Sequence, residues 1–189
     1  MQPTLLLLFA SAGFAATIPI TRQAAAPCFI IGKQVLPAST LKAADALASV
    51  ATCSADRTTL SGVPDVTVGG ATFSDIDFSK SGQSPLQFAL DRFAGAQPLA
   101  SSDLQLFKDE LDVYTATESG IRSVGGNLAI KVPKFFLEFQ VSRIETAQGN
   151  PPAGAGQQVD HLLDKVLKNA AGESPALLDQ VRQLAANIA

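Results

Sequence analysis

An α+β fold is predicted for this chain: a small N-terminal layer of β hairpins and strands packed by helices, followed by a C-terminal helical hairpin. Three observations predict it. Short apolar and β-branched runs flank turn glycines in the first half, most clearly Val66-Thr67-Val68 and Ala71-Thr72-Phe73 about Gly69-Gly70. From Ser84 onward, apolar residues recur at the spacing of helix faces. Beyond a Pro/Gly-rich stretch at 150–156, two amphipathic stripes follow each other: Val159, Leu162, Leu163, Val166 and Leu167, then Leu177, Leu178, Val181, Leu184 and Ile188.

The chain starts with an unbroken apolar run, Leu5 to Ala10, leading into the small residues Ser11 to Ala16. That is the pattern of a signal peptide, with Gly13 and Ala15 at the positions a signal peptidase reads. The run is too short to cross a bilayer, which takes ~20 residues. Residues 1–15 are therefore expected to be a removed signal peptide, although no Lys or Arg precedes the run. Residues 16–27 are expected to be a flexible lead-in. The localisation this implies is secreted and extracellular.

An α+β domain is expected over residues 28–149, in the following order. Phe29-Ile30-Ile31 and Gln34-Val35-Leu36 about Gly32-Lys33 read as a hairpin with a glycine-first turn. Leu41, Ala44, Leu47, Ala48 and Val50 predict a helix from Ser39 or Thr40 towards Cys53. Ile76 and Phe78 would lie on one face of a further strand, with Asp75 and Asp77 on the other. Ser84 before Pro85 reads as a helix cap. Ser102 with Gln105 fits a capping box for a longer helix carrying Leu104, Phe107, Leu111 and Tyr114, with Gly120 as its terminator. Residues 133–148 fit either an alternating strand or a buried helix between Pro133 and Gly149, and the helix is favoured. Residues 150–156 read as a linker and 157–189 as the helical hairpin, which lacks a closed core alone and must dock. Its own domain is the expected surface; a partner is the alternative.

Composition narrows the function classes. Apolar residues make up 47% of the 189, which excludes a disordered chain. Net charge is −3 with no Lys/Arg cluster, so nucleic acid is not an expected partner. No segment carries a basic amphipathic face and the C-terminus has no long apolar tail, so no stable membrane anchor is expected. Asn127, Asn150, Asn169 and Asn187 lack a following Ser/Thr acceptor pattern, so N-linked glycan is not expected. The two cysteines, Cys28 and Cys53, are read as one disulfide in an oxidising compartment.

Candidate chemistry is sparse. Asp75 and Asp77, with Asp65 nearby, are the weak candidates for paired-carboxylate catalysis of the glycoside-hydrolase type or for cation binding. His161, beside Asp160 and Asp164, reads as part of a solvated helix face rather than a metal ligand. No Gly-x-Ser-x-Gly, no Glu-x-x-His pair and no phosphate-loop spacing occurs. Neither a metal nor a cofactor is expected. Arg122, Lys131, Lys134 and Arg143 lie in an apolar region. They read either as an anion clamp or, preferably, as partners for Asp109, Asp112, Glu118 or Glu138.

The stretches Cys28–Pro37, Gly62–Thr67, Ile76–Ser79, Gly120–Gly126 and Lys131–Leu137 resemble a family of small secreted proteins of filamentous fungi, a domain of unknown function. The resemblance spans about Cys28 to Gly149, leaving the C-terminal helices outside. It implies secretion and the cysteine pair, and no activity, cofactor or catalytic residue. The expected role is non-enzymatic, binding an extracellular ligand or acting at a surface. The alternatives are a carboxylate-dependent extracellular hydrolase and a self-associating coat or wall protein.

Overall fold

Residues 26–188 are described by the computed structural model of the protein. The expected signal peptide, and the lead-in up to residue 25, lie outside the described residues. The elements run α1 (Ala38–Leu47), β1 (Thr52–Thr58), β2 (Pro64–Val68), β3 (Ala71–Thr72), α2 (Pro85–Arg92), α3 (Leu104–Ser123), α4 (Lys131–Ala147), α5 (Val159–Asn169) and α6 (Pro175–Ala186). This is the α+β class the sequence predicts.

The strands form one antiparallel sheet in the order β1-β2-β3. Gly69-Gly70 is the two-residue turn of the second hairpin, with Val68 opposite Ala71 and Thr67 opposite Thr72. β2 turns Asp65, Val66 and Val68 inward, and the sheet packs on α3.

Helix α4 is the centre of the molecule. Ten of its residues, among them Phe136, Leu137, Phe139, Gln140 and Ile144, are buried, so little of its circumference meets water. A helix buried over this much of its circumference needs neighbours on several sides, and α2, α3 and α5 supply them. The strand alternative for 133–148 is thereby excluded. The α5–α6 pair docks on this same core, to which it adds Val159, Leu162, Val166 and Val181. Among the described residues no helix is long and apolar enough to cross a membrane.

Several local expectations are corrected. The hairpin expected over 29–36 does not form. The N–H groups of Ile31 and Gly32 instead donate to Ser123 Oγ at 3.3 and 2.9 Å, and Gln34 N–H donates to Ser123 O at 2.9 Å. The segment crosses the last turn of α3, and its backbone is satisfied there rather than by itself. Helix α1 ends at Leu47, short of Cys53, and Cys53 lies on β1. The strand expected at 75–78 is replaced by two short 3₁₀ turns, Phe73–Asp75 and Phe78–Lys80. Helix α3 is capped by Asp103, whose Oδ1 accepts from Leu106 N–H at 3.1 Å. Ser102 is turned away to accept from Ala96 N–H at 2.8 Å. The Ser84 cap before Pro85 forms as read, accepting from Gln87 N–H at 3.3 Å.

Gly120 does not terminate α3; it is buried within it. A Cβ there would stand 2.5 Å from Phe29 O and 2.8 Å from a Val63 methyl. Gly32 faces the same crossing from the other side, where a Cβ would overlap Ser123 O. The two glycines let the N-terminal segment lie directly on α3. Gly120→Ala, which would stabilise an open helix by about 1 kcal/mol, is here expected to destabilise by about 1–3 kcal/mol, because a backbone carbonyl cannot rotate away. Urea melts check this, and a stabilised variant would refute the close crossing.

Candidate functional site

The three carboxylates singled out in the sequence are held apart in their tasks. Asp65, on β2, is buried; its Oδ1 accepts from Ser74 N–H at 2.9 Å and its Oδ2 lies 3.4 Å from the exposed Arg57 guanidinium. Asp77 is buried too. Its Oδ1 accepts from the Ser79 N–H at 3.0 Å and the Ser79 hydroxyl at 2.7 Å, while Oδ2 stands 3.5 Å from Lys80 Nζ. Asp75 is exposed at the end of its turn. The shared strand face that would have paired Asp75 with Asp77 is absent, since Asp77 points inward to fix a turn. His161 is exposed on α5. Among the described residues no group of three or more His, Cys, Asp or Glu is placed to hold a metal.

Side chains converge elsewhere. A cleft of about 330 Å³ opens between α1, α3, α4 and α5. Helix periodicity builds it: Thr115, Glu118, Ser119 and Arg122 follow one face of α3, and Lys131, Lys134, Phe135 and Glu138 follow one face of α4. Ser39 and Thr40 close it from the first turn of α1, and Lys165 from α5.

Glu118 lies at its base, 5% exposed. The Arg122 guanidinium reaches its Oε1 at 2.7 Å and the Lys134 ammonium its Oε2 at 2.6 Å, the latter as an ion pair without a well-aligned hydrogen bond. Burial by itself raises the Glu118 carboxyl. Lys134 and Arg122 outweigh it and hold the group below its ordinary value. Lys165 approaches Glu138 only to 4.0 Å. The Phe135 ring collects three ammonium groups, with Lys134, Lys165 and Lys131 at 4.4, 5.4 and 5.7 Å from its centroid. Four cations against two carboxylates leave the cleft positive, on a chain whose net charge is −3.

The basic residues grouped in the sequence are thus divided. Arg122 and Lys134 take up Glu118, one of the acidic partners expected for them. Lys131 stays at the cleft. Arg143 is buried on α4; it donates to Gln140 Oε1 and, at 2.7 Å, to the backbone oxygen of Asn187. Burial lowers its pKa to about 10, which leaves it charged at neutral pH. It ties the end of α6 to the core and takes no part in the cleft.

Chemically the cleft is equipped to hold a ligand. Its buried carboxylate is kept ionised by two cations, which disfavours proton transfer. The Ser119 hydroxyl donates to Thr115 O at 2.8 Å within its own helix, and no histidine lines the cleft. Ser39, Thr40, Phe135 and Lys165 are lining residues that sequence reasoning did not single out. The Glu118–Arg122 spacing of four was readable on one helix. The approach of α1 and α5 left no local signal.

The family whose sequence profile matches this chain is DUF7143, a domain of unknown function, over residues 30–189. The match runs through α5 and α6, beyond the Cys28–Gly149 extent of the resemblance read from the sequence. No curated protein and no solved structure matches the chain.

Proposed function

The chain belongs to the DUF7143 family, and on that premise we propose that it is a secreted, non-enzymatic fungal protein that binds a small extracellular ligand in the cleft between α1, α3, α4 and α5. The observation that carries the binding reading is the cleft itself. It gathers charged, hydroxyl and aromatic side chains from four helices, while its buried carboxylate is engaged by Lys134 and Arg122. Its volume falls at the small end of ligand sites, ~300–1,000 Å³. Secretion is supported by the Cys28–Cys53 bond, which suits an oxidising compartment, and by the apolar run from Leu5. Fungal origin rests on the sequence resemblance.

The test is native against denaturing mass spectrometry on protein recovered from the medium of its own host. The denaturing mass is expected to show loss of about residues 1–15 and an intact disulfide. The native mass is expected to show a monomer carrying a small ligand. A protein retained inside the cell overturns secretion, and a mass of several copies favours the coat alternative. The hydrolase alternative places its chemistry on Asp65, Asp75 and Asp77, which do not line this cleft. Substrate turnover lost on Asp65→Asn with the fold intact would favour it over binding.

A further inference from the structure

We propose that the ligand of this cleft is a compact polyanion, a small molecule carrying two or more carboxylate or phosphate charges, held chiefly by Lys131 and Lys165 against the Phe135 wall. The inference rests on the reading of the cleft as a binding site and names the class of ligand.

The charges inside the cleft are unevenly matched. Glu118 engages Arg122 and Lys134 at 2.6–2.7 Å. Lys165 meets Glu138 at 4.0 Å, the loosest ion pair in the cleft. Lys131 has no carboxylate within ion-pairing distance among the described residues; its ammonium lies over the Phe135 ring. The unspent positive charge therefore sits on the Lys131–Lys165 side. Gathering three ammonium groups around one ring sets their mutual repulsion against the cation–π attraction that holds them there. A bound anion removes that repulsion.

The fourth wall adds neutral donors. Helix α1 starts after Pro37, which offers no side-chain cap, and its first turn holds no acidic residue. The first-turn N–H groups of Ser39 and Thr40 have no intrahelical acceptor, and these residues line the cleft. A helix start of this kind complements an anion that other groups have brought there. Hydroxyls of Ser39, Thr40 and Thr115 edge the same space. The cations line a small concavity on a chain of net negative charge, which favours a small anion over a polymer.

Calorimetric titration of the full secreted chain tests this with inorganic phosphate, citrate, acetate and glucose as probes. Phosphate or citrate is expected to bind one to one, more weakly as salt rises, with acetate at least tenfold weaker and glucose silent. The tighter of phosphate and citrate assigns the source as a phosphate ester or an organic acid. Lys131→Ala with Lys165→Ala is expected to cut that affinity at least tenfold with thermal stability preserved. Lys33→Ala with Lys168→Ala, the same change in net charge at two lysines that do not line the cleft, is expected to leave it within twofold. Equal losses in both double variants would mean general charge attraction and overturn the proposal. So would binding unaffected by the first. A neutral small molecule in the native mass spectrum, with both anions silent, overturns the polyanion and leaves the binding reading standing. Silence of every probe together with a clean apo mass overturns both.

Discussion

Replacing Cys28 and Cys53 together by serine is expected to lower stability by about 3–4 kcal/mol. The bond joins residues 25 apart, and the loop-closure entropy it removes from the unfolded chain has about that value. For a domain of this size each kcal/mol corresponds to ~2–4 °C, so Tm should fall by roughly 10 °C. The loss has a predictable location. Cys28 precedes the fully buried Phe29, and the segment beyond it reaches α3 through three N–H groups that all end on Ser123. Without the bond to β1, that crossing should open first. Hydrogen exchange is expected to quicken at Gly32 and Gln34 well before the amides of α4 respond. Urea melts with matched exchange measurements check it. A loss under 1 kcal/mol, or an even loss of protection, would show that the crossing holds without the disulfide.

Glu118→Gln is expected to destabilise by about 2–3 kcal/mol at neutral pH. The substitution keeps the shape but leaves Arg122 and Lys134, with side chains 23% and 17% exposed, facing each other without their shared anion. Breaking a fully buried pair costs ~3–5 kcal/mol, and the partial exposure of the cations places the effect lower. The pH dependence gives the cause away. The Glu118 carboxyl is held below its ordinary value in the folded state, so the wild-type advantage is complete above the unfolded value of 4.5 and is lost as pH falls through the lower folded value. The gap between wild type and variant should therefore close in acid. Denaturant melts at pH 7 and pH 3 measure it; a gap that stays constant would falsify the electrostatic account and assign the loss to packing. The variant also leaves the cleft more positive, and its affinity for phosphate or citrate should rise.

What could be read from the sequence and what could not divide along the range of the interactions. The Gly69-Gly70 hairpin, the Ser84-Pro85 helix start and the amphipathic stripes of α5 and α6 were legible because neighbours in sequence satisfy them: a two-residue turn, a cap three residues away, a periodic apolar face. The α+β class follows from those elements. The Cys28–Cys53 bond was legible because two cysteines allow one intramolecular pairing. The errors fall where a distant residue competes for the same group. Residues 29–36 have the pattern of a hairpin, but Ser123 takes their N–H groups from some 90 positions away. Asp77 is a local exception: it alternates correctly for an exposed strand face, yet it caps a 3₁₀ turn through Ser79, two residues on. Gly120 looked like a helix end; its lack of a side chain instead answers the approach of Phe29 and Val63. The cleft belongs to the same category. The faces of α3 and α4 carry their charges at readable helical spacing, but that Lys165 of α5 and the uncapped start of α1 join them was decided only by the packing of α5 on α4 and of α1 on α3. Sequence spacing determines which side chains share a face; burying the apolar faces of α4 against α2, α3 and α5 determines which faces meet.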